Sequence, residues 1–203
     1  MHVRIVCRGS EEVHDHDPGE RLLDYGCGIG ADGLRLLEDG YRVEFADFDN
    51  PSVAFLRWRL EQRGFDTIVY DIENDIPGGF DVAYCFDVLE HVDDPIEVLE
   101  RLESLAGIVV VNFLEPAPHD PDDSHLHRPL PIAELLDRCA RHGLLHYSRH
   151  YGRSHLVAYR SQPSHGAIRQ VRSRLWRTGG THRLAVNALR RVEHLVGRVR
   201  ARV

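Results

Sequence analysis

The stretch Leu22–Gly30 reads Leu-Leu-Asp-Tyr-Gly-Cys-Gly-Ile-Gly, and it restricts the fold more than any other part of the chain. Two apolar residues lead into an acid, three glycines alternate with single residues, and a helix-like segment, Ala31–Asp39, follows. This is a strand, a tight turn and a helix start. Gly26, Gly28 and Gly30 let the backbone turn sharply and approach a ligand where a Cβ would intrude. The helix N-terminus behind them offers unsatisfied N–H groups and a partial positive charge. A glycine-rich turn between strand and helix points to a nucleotide-like ligand.

The spacing narrows the ligand. A pyrophosphate binder usually carries G-x-G-x-x-G, with its acid only after the second strand. Here Asp24 precedes the first glycine and the glycines alternate as G-x-G-x-G. That pattern resembles motif I of class I S-adenosylmethionine-dependent methyltransferases. The resemblance implies a ligand with an ammonium-bearing amino-acid end instead of a phosphate, and an acid beside bare backbone suits it.

The rest of the chain alternates in the same way. Expected strands are Leu22–Tyr25, Arg42–Asp47, Asp66–Asp71, Phe80–Phe86 and Gly107–Leu114, with helices at Ala31–Asp39, Asn50–Arg63, Pro95–Leu105 and Pro131–His142. Leu144–His150 and His155–Arg160 read as a closing hairpin. Strands alternating with helices give parallel units and a sheet covered on both faces. The expected fold is therefore α/β, a Rossmann-like seven-stranded methyltransferase sheet, mostly parallel with an antiparallel hairpin at the end. Eight residues separate Asp71 from Phe80, enough to span the sheet extended but too few for a helix.

At 203 residues, 42% apolar and 28% charged, the composition is that of a water-exposed globular protein with one sizeable core. No apolar run reaches the roughly 18 residues a membrane helix needs, and no secretory signal opens the chain. Cys7, Cys27, Cys85 and Cys139 lie far apart, as expected of free thiols in a cytoplasmic protein. All 25 basic residues are arginine. Residues 1–160 carry 31 acids against 15 arginines, whereas residues 161–203 carry one acid, Glu193, against 10 arginines. The expected organisation is a short N-terminal segment (1–20), a cofactor-binding domain (21–160) and a basic tail (161–203).

In α/β sheets the ligand lies across the carboxyl ends of the strands. Asp24 and the turn suit the methionine end of S-adenosylmethionine. Asp47, 23 residues after Asp24, can accept from both hydroxyls of a ribose; Asp49 competes for that role. Asp71 can accept from the adenine amino group, with the Ile72 N–H free for a ring nitrogen, and Phe48 can stack on the base. The cofactor set is Asp24, Gly26, Cys27, Gly28, Gly30, Asp47, Phe48, Asp71, Ile72 and Phe86.

Phe80–Pro95 reads Phe-Asp-Val-Ala-Tyr-Cys-Phe-Asp-Val-Leu-Glu-His-Val-Asp-Asp-Pro. It is similar to the segment after the fourth strand in small-molecule methyltransferases, the group that includes the ubiquinone-biosynthesis enzymes. O-methyltransferases of that pathway carry an E-x-x-E-H metal motif, and the matching positions here are Asp87, Glu90 and His91. The resemblance implies a divalent metal held there; the alternative is that Glu90 and His91 brace the loop. No N-P-P-Y-type tetrad stands after the fourth strand, which argues against methylation of adenine or glutamine nitrogen.

A proline-rich connection follows the fifth strand and carries His119, His125 and His127 with Glu115 and Asp120. Histidine is the natural base near neutral pH, so His127 is the first candidate to take the acceptor's proton, with His91 its rival. In the tail, Ala185, Leu189, Val192, Val196, Val199 and Val203 form an apolar stripe flanked by arginines, a basic amphipathic helix pattern. It suits a lid over the acidic domain, an anionic membrane surface, or a nucleic-acid or protein partner. Trp176 is its only aromatic residue, which disfavours nucleic acid. The expected activity is methyl transfer to a small-molecule acceptor, at oxygen, by in-line displacement. The alternatives are a non-catalytic scaffold acting through the tail and an RNA methyltransferase.

Overall fold

The computed structural model describes residues 20–115, 128–150 and 153–162. The elements run β1 (Arg21–Tyr25), α1 (Ala31–Glu38), β2 (Arg42–Asp47), α2 (Pro51–Arg63), β3 (Val69–Asp71), β4 (Phe80–Cys85), α3 (Pro95–Leu105), β5 (Ala106–Leu114), α4 (Ile132–Gly143), β6 (Leu144–His150) and β7 (Ser154–Arg160). The strands form one seven-stranded sheet in the order β3-β2-β1-β4-β5-β7-β6. β1 through β5 are parallel, and β7 runs antiparallel to both β5 and β6. The order reverses between β1 and β4, so the ligand crevice of such a sheet lies over the β1 turn.

Local signals explain where the helices begin and end. Asn50 Oδ1 accepts from the N–H groups of Ser52 (2.8 Å) and Val53 (3.2 Å), and Pro51 follows at the first helical position. Gly64 then closes α2 with φ 68°. Asp94 caps α3 through the N–H groups of Ile96 (2.9 Å) and Glu97 (3.1 Å), again with proline next. α1 has no such side chain at its N-cap, Gly30. Its cap comes from β1: Asp24 Oδ2 accepts the Gly33 N–H at 3.1 Å.

Two apolar layers flank the sheet. Leu34, Leu56 and Leu60 of α1 and α2 pack on Leu22, Phe45, Tyr84 and Val110. Leu99, Leu102, Leu135 and Cys139 of α3 and α4 pack on Leu23, Tyr25, Phe113 and Val157 on the other face. Each fully buried leucine contributes about 1.5–3 kcal/mol, so this sandwich holds the strand ends that carry the site. Gly33 brings α1 unusually close: a Cβ there would stand 2.3 Å from the Phe45 ring.

The third strand starts later than expected, at Val69; just before it the Thr67 hydroxyl donates to the Val43 carbonyl (2.5 Å) and the Ile68 carbonyl accepts from Phe45 N–H (2.9 Å). A single 3-10 turn, Leu89–His91, follows β4 and gives no periodic signal in the sequence. Among the described residues no helix is long and apolar enough to cross a membrane. His127, with the rest of the proline-rich connection from 116 to 127, and residues 163–203, on which the three readings of the basic tail rest, lie outside the described residues.

Candidate active site

The turn after β1 is built from three left-handed glycines, at φ 74° (Gly26), 52° (Gly28) and 70° (Gly30). Their surroundings differ. A Cβ on Gly26 would stand 2.4 Å from Val88 Cγ2, and one on Gly30 would stand 2.4 Å from Leu56 Cδ1. A Cβ on Gly28 would have no atom within 4 Å. Gly26 and Gly30 are therefore needed by the packing as well as by the turn, whereas Gly28 borders open space where a ligand fits.

The turn is tied down from three sides. The N–H groups of Gly26 (2.8 Å) and Cys27 (3.2 Å) share the Ala46 carbonyl. Arg59 of α2 donates to the Ile29 carbonyl at 2.5 Å. Asp47, at the end of β2, accepts from Gly28 N–H through Oδ2 (2.6 Å) and from Phe48 N–H through Oδ1 (2.7 Å). A carboxylate oxygen has two lone-pair sites, so each oxygen of Asp47 keeps one for a ligand hydroxyl. Phe48 is exposed beside it. Asp49 instead pairs with Arg57 at 2.9 Å in an exposed position.

Asp24 sits beneath the glycine turn. It is 6% exposed and its carboxylate is turned beneath α1. Burial raises its pKa from 3.8 to about 7; Tyr84 and the Gly33 N–H oppose that rise, and Asp32 and Asp47 add to it. The buried Tyr84 hydroxyl neighbours this carboxylate, is pushed up by burial and by Asp24, and meets no strict hydrogen-bond geometry. Burial, with Asp24 and Asp47 nearby, also pushes the Cys27 thiol up, so it is no nucleophile.

On the adenine side, Asp71 closes β3. Its oxygens accept from Glu73 N–H (3.0 Å) and the Asn74 amide (3.1 Å). The Ile72 N–H, expected free, is not: it donates to the Asp47 carbonyl at 3.0 Å and joins the ends of β2 and β3. Phe86 follows β4, half-buried, with its ring 5.5 Å from that of Tyr84.

The suggested metal ligands are not brought together. Glu90 is buried at 3% exposure, His91 is exposed, and Asp87 is held by Asn112. Glu90 and His91 lie in the 3-10 turn, and Asp87 precedes it. Among the described residues no group of three His, Cys, Asp or Glu is placed to hold a metal. At the start of the connection after β5, Glu115 accepts from Arg149 (2.7 Å) and bonds His155 Nε2 (2.8 Å), while His155 Nδ1 meets the Tyr147 hydroxyl at 3.1 Å. This network pins the root of the connection to the closing hairpin. Gly33, Tyr84 and Asn112 were not singled out from the sequence, since a helical glycine, a core tyrosine and a strand asparagine carry no motif.

Comparison with known proteins agrees with this architecture. Residues 4–161 match the family described as a methyltransferase domain. A ubiquinone biosynthesis O-methyltransferase of Paraburkholderia phymatum is 32% identical over 99 residues, covering 46% of this chain and 43% of that protein. One of Xanthomonas campestris pv. campestris is 29% identical over 147 residues, covering 70% of this chain and 61% of that protein. The chain thus spans roughly half the length of these curated relatives. A magnesium protoporphyrin IX methyltransferase from Synechocystis PCC 6803 shares the fold, with a TM-score of 0.55 at 18% identity over 70% of this chain and 74% of that one. The chain belongs to the methyltransferase domain family, as a class I S-adenosylmethionine-dependent member.

Proposed function

We propose that the protein transfers a methyl group to a hydroxyl oxygen of a small-molecule acceptor. The observation that carries this reading is the turn itself: Gly28 opens onto empty space with the Asp47 carboxylate bound to its N–H. Bound S-adenosylmethionine supplies a methyl group already activated on a sulfonium. The protein's task is then to hold and orient. Asp47 takes the ribose diol, Phe48 covers one face of the base, and Asp71 accepts from the adenine amino group. The Gly26–Gly30 turn receives the amino-acid end, and Asp24 fixes that turn from beneath by capping α1. Phe86 walls the cofactor at the end of β4. Such alignment is worth up to about 7–11 kcal/mol of a barrier.

The names of the curated relatives support oxygen as the atom methylated. Of His127 and His91, the two histidines expected as base, His91 is the one described, and it is exposed just after β4. The test is calorimetric titration of the full chain with S-adenosylhomocysteine, beside Asp47→Ala. Micromolar binding, weakened tenfold or more in the variant, is expected. Transfer of labelled methyl from S-adenosylmethionine is then measured to hydroxyl-bearing and amine-bearing acceptors. Absence of binding overturns the cofactor placement, and transfer to amines alone overturns the oxygen assignment.

A further inference from the structure

Asp87 is the only non-glycine residue among those described with a left-handed backbone, at φ 54°. Hard-sphere contacts disfavour that region for any residue with a Cβ. A loop that only had to turn here would be served better by glycine. Such strain persists where the surroundings over-determine it, and it gathers at functional sites.

The surroundings are specific. Asn112 Oδ1 accepts the Asp87 N–H at 2.7 Å, and Asn112 Nδ2 donates to Asp87 Oδ1 at 2.5 Å. One amide therefore grips both the backbone and the side chain of the same residue and fixes φ and the carboxylate together. Asn112 sits one residue beyond Val111, the last partner of β4 on β5. The next residue after Asp87, Val88, lies against the cofactor turn: a Gly26 Cβ would stand 2.4 Å from it. The strained position is thus wedged between the ends of β4 and β5 and the glycine turn. Asp87 is exposed there, while Cys85, Leu89 and Glu90 around it are buried. Among the described residues it makes no ion pair, and its Oδ2 takes no hydrogen bond.

We propose that Asp87 receives the hydroxyl of the methyl acceptor on Oδ2, and that Asn112 is the positioning residue that holds it there. This rests on the oxygen-acceptor reading and assigns its acceptor subsite. With Asn112 occupying Oδ1, a hydroxyl that donates to Oδ2 keeps its oxygen lone pairs turned away from the carboxylate; the O–CH3 bond forms as the sulfonium S–CH3 bond breaks, the neutral thioether leaves, and the proton passes to Oδ2, which is open to solvent. The same negative charge selects acceptors that present an uncharged hydrogen-bond donor at this point and disfavours phosphate or carboxylate groups there. The role differs from metal ligation, since neither Glu90 nor His91 is needed for it.

The test uses the full chain, with Asp87→Asn and Asn112→Ala. Melting temperature, S-adenosylhomocysteine affinity, catechol affinity of the S-adenosylhomocysteine complex, and kcat and KM for methyl transfer to phenol, catechol and aliphatic alcohols are measured. Asp87→Asn is isosteric, and asparagine tolerates the left-handed region. It should leave the melting temperature within about 2 °C and S-adenosylhomocysteine affinity within twofold, yet weaken catechol binding and lower kcat/KM tenfold or more. Asn112→Ala should lower kcat/KM similarly, again with S-adenosylhomocysteine affinity kept. Unchanged catechol binding and kcat/KM in Asp87→Asn overturns the proposal. Asn112→Ala losing melting temperature, cofactor affinity and rate together overturns the positioning role. A wild type that binds S-adenosylhomocysteine but methylates no hydroxyl overturns the oxygen-acceptor reading itself, and the proposal with it. A wild type that methylates hydroxyls, with Asp87→Asn equal to it, overturns this assignment alone.

Discussion

The two sides of the sheet's carboxyl edge are built in opposite ways. On the β1–β2 side every left-handed position is a glycine, and the acids bond backbone N–H groups of the turn and of α1. On the β4–β5 side the left-handed position falls on an aspartate, and a side-chain amide holds it. The first arrangement is a cradle relieved of strain, with bare backbone facing a large ligand. The second keeps a charged group at a strained point, which is sensible only where that group meets something small. The comparison also separates two kinds of glycine within one turn, those that the packing needs and the one that borders open space.

Gly30→Ala breaks the cofactor side hardest. The left-handed φ costs about 1–2 kcal/mol for a residue with a Cβ. The new methyl would stand 2.4 Å from Leu56 Cδ1, in a fully buried side chain. Overpacking of that kind adds about 1–3 kcal/mol, and a domain of this size loses about 2–4 °C per kcal/mol. A drop in melting temperature of about 4–20 °C is expected. Gly28→Ala carries the backbone cost alone, since its methyl meets nothing within 4 Å. It should melt only a few degrees lower and bind S-adenosylhomocysteine tenfold or more weakly. If the two variants lose stability equally, Gly28 also serves the packing and the distinction fails.

Asp24 sharpens the comparison through pH. Asp24 has its pKa raised from 3.8 to about 7, first by burial. Between those values the folded chain binds more protons than the unfolded one. Stability therefore falls as pH rises from about 4 to about 7 and levels off above. At 1.36 kcal/mol per unit the loss is at most about 4 kcal/mol. Denaturant titrations across that range should show the slope, and Asp24→Asn should flatten it while keeping an oxygen for the Gly33 N–H. A slope unchanged in Asp24→Asn places the titrating group elsewhere.

Much of this edge could be read from the residues. The strand–helix alternation, the Asn50-Pro51 helix start, the glycine turn and Asp47 all carry local signals, because each depends on neighbours close in sequence. What escaped depends on distant partners. Asp24 reads as a ligand carboxylate, yet α1 lacks a side-chain cap and takes Asp24 from the strand before it. Ile72 reads as offering a free N–H, yet strand pairing leads its N–H to the Asp47 carbonyl. Gly33 looks like a weak point in a helix, until Phe45 is placed 2.3 Å from where its Cβ would be. Asn112 reads as one polar residue in an apolar strand, and only the fold brings it 25 positions back to Asp87. Asp87, Glu90 and His91 match a metal spacing, but among the described residues they do not gather into a group that could hold a metal, and the 3-10 turn that carries Glu90 and His91 leaves no periodic trace.

The smallest expected effect decides between two neighbouring acids. Asp47 and Asp49 stand two residues apart, and spacing alone does not choose between them as the ribose acceptor. The structure gives them different company. Asp47 is bound to two backbone N–H groups, one of them in the glycine turn. Asp49 is 68% exposed and holds Arg57 in the middle of α2. An exposed pair of that kind contributes about 0.2–1 kcal/mol, and it touches neither turn nor strand end. Asp49→Ala should therefore leave S-adenosylhomocysteine affinity within twofold and melting within about 2 °C, while Asp47→Ala loses affinity tenfold or more. Reversal of that order would move the ribose site outward along the chain to Asp49. It would also mean that the hydrogen bonds joining Asp47 to the turn serve only to close it.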